Sequence, residues 1–289
     1  MKTKFPTAVA LAGFVLSLHA APLTESTFTE VVKDVNVVAS ADKSTSPAKA
    51  NELFKSPDLV RTGADSRAEM TAPDQTITRV GANTVFSFEP ASRNLRLEQG
   101  SVLFHSPKGL GGGTIKSGGA VAAVLGTTLI VSATTGGGFK VILLEGKGRV
   151  TLPNGNSVTL KAGQLVFVLP GGTKFSSVLD INLAKLVAGS QLVVGFTHPL
   201  SSLPLIQKAI DAQNAALASG QTVDTGISAD NFVNPPAQGN GLSMLDPGSY
   251  QNAAHPPLSP GQLATFTGQK STAPVFGSPG GRGFAPLGF

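Results

Sequence analysis

Between residues 57 and 169, short runs of alternating apolar and polar residues follow one another, and glycine punctuates them. Ser66-Arg67-Ala68-Glu69-Met70 alternates, as do Thr76-Ile77-Thr78-Arg79-Val80 and Thr84-Val85-Phe86-Ser87-Phe88. Asn94-Leu95-Arg96-Leu97-Glu98 and Ser101-Val102-Leu103-Phe104 continue the pattern. A period of two sets one face of a strand on a core and the other in water. Beyond a glycine-rich loop at 109–113, further strands are predicted over Ala120–Leu125, Thr127–Val131, Phe139–Leu144, Gly148–Leu152, Ser157–Leu160 and Gln164–Leu169. Two of them, Ala120–Leu125 and Phe139–Leu144, are almost continuously apolar or small, which fits strands covered on both faces. Asn154-Gly155 separates two alternating runs and marks a hairpin. Strand starts recur about every 10–12 residues, so the pattern predicts an all-β fold: a β-sandwich, a jelly roll or a short β-solenoid.

The flanks read differently. Residues 21–56 form a lead-in with strands expected at Phe28–Val32 and Val35–Val38, followed by a small, polar loop from Ala39 to Ser46. After the β-domain (57–170), residues 171–232 predict a small helical appendix packed on it. Asp180–Val187 reads as one short helix. Leu203, Ile206, Ile210 and Leu217 keep helical spacing, with Ser202 as N-cap and Gly220 as stop. Residues 233–289 are rich in Pro, Gly, Ser, Asn and Gln and hold too little apolar surface to offset chain entropy, so a disordered tail is expected.

At the start, Lys2 and Lys4 precede an apolar run from Phe5 to Leu18 and a small-residue exit at Ala20-Ala21. This is the layout of a secretory signal peptide over residues 1–20, with cleavage after Ala20. No later run is long and apolar enough to cross a bilayer, so no membrane span is expected after cleavage. A periplasmic or secreted bacterial location follows. The chain has no cysteine, which excludes disulfides, thiolate metal sites and cysteine nucleophiles. The formal charge is +5, and losing Lys2 and Lys4 with no acid makes it +3. The remaining charges are scattered along the sequence rather than clustered, which argues against nucleic acid as a partner.

Several ordered phrases resemble the FecR-type domain family. Leu59-Val60-Arg61-Thr62-Gly63 with Ser66-Arg67-Ala68-Glu69-Met70 resembles its opening signature, and Val80-Gly81-Ala82-Asn83-Thr84 its Gly-x-Asn-Ser/Thr step. Gly126-Thr127, Leu144-Glu145-Gly146 and Ala162-Gly163-Gln164 resemble its later markers. The resemblance runs from about Pro57 to Val168. The best-known members of that family sense an outer-membrane transporter through a periplasmic domain and control a sigma factor through a cytoplasmic arm. This chain has no such arm before its hydrophobic run, so the expectation is a secreted, stand-alone FecR domain. Gly63, Gly81, Gly100, Gly126, Gly146 and Gly163 sit next to strands, where glycine permits a positive φ or a close backbone approach, so the markers encode the fold.

Candidate chemistry is sparse. Gly109-Leu110-Gly111-Gly112-Gly113-Thr114 lacks the Gly-Lys-Ser/Thr of a phosphate loop, and Thr114-Ile115-Lys116 reads as extended. His105 is the only histidine of the β-domain, and His198 and His255 lie in Pro-flanked segments, which is poor material for zinc. No acid or oxyanion site is marked near His105 for serine-type catalysis. Glu69, Glu98 and Glu145 are candidates for a carboxylate pair, but each has Arg or Lys nearby, which predicts surface pairing. No catalytic, cofactor-binding or metal-binding residue is assigned. The expected function is non-enzymatic: a protein–protein interaction or sensory module of the cell envelope with an envelope protein as partner. Edge strands, end loops and 181–217 would form its contact surface. A structural or carbohydrate-binding envelope protein is the alternative, against which stand the absence of Trp and the single Tyr250. A hydrolase would need a deep pocket holding His105 with a carboxylate.

Overall fold

The structure is a computed structural model that describes residues 21–133, 138–169 and 171–221. The signal peptide expected at 1–20, the end of the appendix and the tail expected at 233–289 lie outside the described residues.

The first strands are β1 (Glu25–Val32), β2 (Val35–Val38), β3 (Thr45–Pro47), β4 (Leu53–Lys55), β5 (Leu59–Thr62), β6 (Arg67–Thr71), β7 (Ile77–Val80) and β8 (Val85–Phe88). A long strand, β9 (Asn94–His105), follows, then β10 (Gly113–Ser117), β11 (Ala120–Val124), β12 (Thr128–Ala133) and β13 (Phe139–Glu145). The series closes with β14 (Lys147–Thr151), β15 (Ser157–Lys161), β16 (Gln164–Val168) and β17 (Leu179–Asp180). Three helices come last: α1 (Leu183–Gly189), α2 (Gln191–Val194) and α3 (Leu203–Ala218).

The strands pair into two sheets. One runs β4-β1-β6-β7-β9-β12-β13-β16-β17, antiparallel throughout. The other runs β3-β2-β5-β8-β9-β10-β11-β14-β15, antiparallel except where Asn94–Arg96 pairs in parallel with Thr114–Lys116. The two sheets face each other across a shared core, so the fold is a β-sandwich. Apart from the edge strands β4 and β3, the chain advances in order along both sheets, which gives the recurring strand starts of the sequence.

Strand β9 belongs to both sheets. Its first half pairs with β8 and β10, its second with β7 and β12. The sequence predicts two strands here, Asn94–Glu98 and Ser101–Phe104; the structure joins them. Gly100, at the crossing, has φ +88°. A Cβ there would stand 2.5 Å from the Thr84 Cα, closer than side-chain atoms pack. Glycine is therefore required at the point where the strand leaves one sheet for the other.

Alternation fills the space between the sheets. Phe28 and Phe54 come from one sheet, Phe86 and Phe88 from the other, with ring centroids 5.6–6.2 Å apart. Such edge-to-face and tilted arrangements are favourable for aromatic rings. A second apolar layer lies on the outside of the first sheet, where Leu103, Ile130, Ile142, Leu165 and Phe167 meet Leu183, Leu186, Leu192, Leu200, Ile206 and Ile210. The helices thus roof one sheet, which we call the covered sheet; the other, the open sheet, has no such roof among the described residues.

This roof separates two strands that look alike in sequence. Every residue of β13 is buried, as expected for cover on both faces. In β11 only alternate residues are buried, and Leu125 beyond it is 79% exposed. The expectation of double cover fails for Ala120–Leu125 because that segment lies in the open sheet.

Smaller differences have local causes. β3 and β4 are three-residue strands of the lead-in that the sequence pattern does not predict; β3 begins inside the loop expected at 39–46. Leu152–Asn156 forms the hairpin turn that Asn154-Gly155 predicts, closed by Leu152 N–H donating to the Asn156 carbonyl at 2.8 Å. Helix α1 starts at Leu183, three residues later than expected. Leu179–Asp180 still pairs with β16, and Asn182 caps the helix by accepting from the Lys185 N–H. α3 starts after Ser202, as expected, and buries Ile206 and Ile210.

Candidate functional site

Three places hold the polar residues that could act: a clamp on the covered sheet, a buried knot beneath the start of α3, and the outer face of the open sheet.

The clamp is built on a cross-strand pair. Glu69 on β6 and Arg79 on β7 lie directly opposite each other in the register. Arg79 is fully buried, and its Nε donates to Glu69 Oε2 at 2.7 Å. Its other nitrogens donate to the carbonyls of Leu192, Val193 and His198 at 3.2, 2.8 and 2.7 Å. The guanidinium stacks 4.4 Å from the centre of the Phe196 ring. Arg67 donates to the Gly195 carbonyl, and Glu30 Oε2 accepts from the Thr197 N–H at 2.9 Å. Residues 192–198 are therefore strapped to the sheet through backbone groups, and the carbonyls of Leu192 and Val193 would otherwise be buried without partners.

The knot centres on Thr128. Its Oγ1 lies 2.9 Å from His105 Nδ1, 3.0 Å from Glu145 Oε1 and 2.8 Å from Ser202 Oγ. All four residues are buried. A hydroxyl has one proton, so donation to the carboxylate leaves the oxygen to accept from its other neighbours. Burial pushes the Glu145 carboxyl up, against hydrogen bonding from Thr128 and the charge of Lys108. Burial likewise pushes the His105 imidazole down, against a contact with the Thr127 backbone. Ser202 holds the N-cap position of α3 without making a cap bond; its hydroxyl joins the knot instead. At the other end of β13, Lys140 is buried, and desolvation pushes it down to about 7.

The structure thus brings His105 and Glu145 together and keeps Glu69 and Glu98 apart from them. The expected surface pairing is not found: Glu69 pairs with Arg79 but out of solvent, and no ion pair of Glu98 or Glu145 occurs among the described residues. Glu98 is exposed, while Glu69 and Glu145 are buried. One signal in the sequence points to Glu69: its place opposite Arg79 in adjacent alternating strands. The partners at 192–198 are backbone carbonyls and leave no such trace. His198 is exposed and contributes only its carbonyl. Among the described residues no three His, Asp or Glu side chains converge as metal ligands.

The third place is the open face. Arg61, Arg96, Lys147, Arg149 and Lys161, far apart in sequence, all point outward from the open sheet and are exposed. A groove of about 500 Å³ crosses this face, lined among others by Arg93, Thr114, Ala123, Leu125, Lys147 and Arg149. At its edge Arg93 pairs with Asp74 at 2.6 Å, and Lys116 with Glu89 at 2.8 Å. Burial alone would raise Asp74, but hydrogen bonds from Thr76 and Arg93 outweigh it and hold the carboxyl low. Lys116 does the same for Glu89.

A family model described as FecR protein matches residues 58–151. This segment is a FecR domain. Two crystal structures of a candidate anti-sigma factor from Parabacteroides distasonis are similar to the chain at 19% identity, with TM-scores of 0.39 and 0.41. The similarity covers 44% and 47% of this chain and 61% and 64% of theirs, so the chain spans less than two thirds of those proteins. Comparison with curated proteins gives no match.

Within the FecR domain, the Ser-Arg-Ala-Glu phrase now has a physical reading. Ser66 Oγ accepts from the Asp34 N–H at 3.1 Å and donates to the Ala64 carbonyl at 3.0 Å. Ala68 fills the core, while Arg67 and Glu69 face the strap. The phrase joins three parts of the fold. The glycine markers divide. Gly100, Gly126, Gly146 and Gly163 have positive φ, and Gly63 and Gly81 pack closely on Asp34 and Ser101.

Proposed function

We propose that this chain is an exported, non-catalytic module of the bacterial cell envelope that acts by recognising another protein. The observation that carries this reading is how the FecR domain distributes its polar groups. His105, Glu145, Glu69 and Arg79, the residues with chemical potential, are buried and bound to one another or to the chain's own backbone. An acid–base group must reach the proton it moves, and these four side chains are buried. The open sheet, by contrast, offers a continuous polar surface of the kind that protein partners use. Export rests on the basic and apolar start of the sequence with its small-residue exit at Ala20.

The experiment is photo-crosslinking in the native envelope, with a crosslinking residue placed at Thr159 on the open sheet or at Lys208 on α3. A defined protein adduct from either position is the expected result. Adducts to glycan alone, with the purified protein binding a glycan array, would replace this reading with the carbohydrate-binding alternative.

A further inference from the structure

We infer that the outer face of the open sheet, centred on Lys147, Arg149 and Lys161, binds an acidic, extended segment of a protein partner and seats an apolar side chain of it beside Leu125. The inference rests on the recognition role proposed above and names the surface and the chemistry of the partner.

The first observation is charge. Strands β10, β11, β14 and β15 contain four cations, Lys116, Lys147, Arg149 and Lys161, and no Asp or Glu. Only Lys116 makes an ion pair with a described residue, and its partner Glu89 lies outside those strands. The scattered charges of the sequence are gathered because each sits at an outward position of its own strand.

The second observation is a cost kept in the fold. Lys147 and Lys161 lie directly opposite each other in the β14–β15 register. Like charges so placed stand with Cβ atoms roughly 5 Å apart and destabilise the pair. Arg149, two residues along the same face, adds a third positive charge. With no acid on these strands, the repulsion has no local relief, and an anionic partner supplies it.

The third observation selects the partner's class. Nucleic acids and sugars are commonly gripped by stacking on aromatic rings, and the groove lining holds no aromatic residue. It offers instead a floor of small side chains, Thr114, Ala123 and Thr159, with Leu125 standing 79% exposed at one end. Cations, small residues and one exposed leucine suit a peptide that carries carboxylates and an aliphatic side chain. A leucine exposed to this degree gains from cover.

The test uses the mature full-length chain and a fluorescent ten-residue peptide with five Glu and two Leu. A five-nucleotide single-stranded DNA and phosphatidylglycerol vesicles serve as competing anions. Expected results are peptide binding that weakens with salt, a loss of about tenfold or more in the double variant Lys147→Glu/Arg149→Glu, and a smaller loss in Leu125→Ser. Lys185→Glu, a single charge reversal at an exposed position of α1, leaves binding within about twofold. Lys161→Glu alone should raise Tm, because it turns a repulsive pair into an attractive one. Peptide binding untouched by the double variant, or tighter binding of DNA or vesicles than of peptide, overturns the inference. Crosslinking in the envelope separates the two levels. A protein adduct kept by the double variant sinks this surface and leaves the recognition role standing, whereas glycan adducts alone sink the role itself.

Discussion

The two sheets share one strand and one core, yet their outer faces are opposites. The covered sheet hides Arg79, Glu69, Glu145 and Lys140 beneath helices, where each charge is held by its neighbours or pays in desolvation. The open sheet leaves Arg61, Arg96, Lys147, Arg149 and Lys161 in water. Charge on the first surface is structural, because removing a partner strands its mate in a dry place. Charge on the second is available, because water already satisfies it.

The largest effect that tests this contrast is at the clamp. Arg79→Ala leaves Glu69 buried without its cation and three carbonyls without donors, so we expect a loss of about 3–5 kcal/mol in urea unfolding. Replacing both, as Glu69→Met with Arg79→Met, should cost less than Arg79→Ala alone. Next comes the crossing between the sheets. Gly100→Val combines an unfavourable φ with a clash against Thr84, and about 2–4 kcal/mol is expected by the same assay.

A pH effect follows. Lys140 is lowered from 10.5 to about 7 on folding. The unfolded chain therefore holds its proton more tightly between those values. Stability rises with pH across that window and is reduced below it. Lys140→Met should remove this rise from the Tm–pH profile. Glu145 acts in the other direction: its raised carboxyl favours the folded state in acid, and that contribution is lost as pH climbs through its folded value. The smallest effect is predicted for Arg149→Glu, within about 0.5 kcal/mol of the parent in urea unfolding. A large loss there would erase the distinction between the two surfaces.

Much of the architecture was legible before the structure. Period-two runs located most strands, Asn154-Gly155 located a turn, and the spacing of Ile206 and Ile210 located the helix that roofs the covered sheet. What alternation does not encode is which outward face later receives a cover. Ala120–Val124 and Phe139–Glu145 look equivalent because alanine is at home in water or in a core. Glu69 and Arg79 look like surface charges because they are outward-facing with respect to the sandwich. They are buried only by a segment more than 100 positions away, held through carbonyls that every residue possesses. The cationic face was invisible for the converse reason: its members are dispersed along the chain and meet only through the register of β10, β11, β14 and β15.

The roof over the covered sheet begins after residue 180, outside the segment that the FecR match spans. A fragment cut at 58 and 151 would lose β1 to β4 on one side and β15 to α3 on the other. Leu103, Ile130, Ile142 and Leu144 would then meet solvent. The segment that matches the family is thus smaller than the unit that closes its own apolar surfaces. Any chain that kept this segment without the roof would have to cover that bare apolar face by other means.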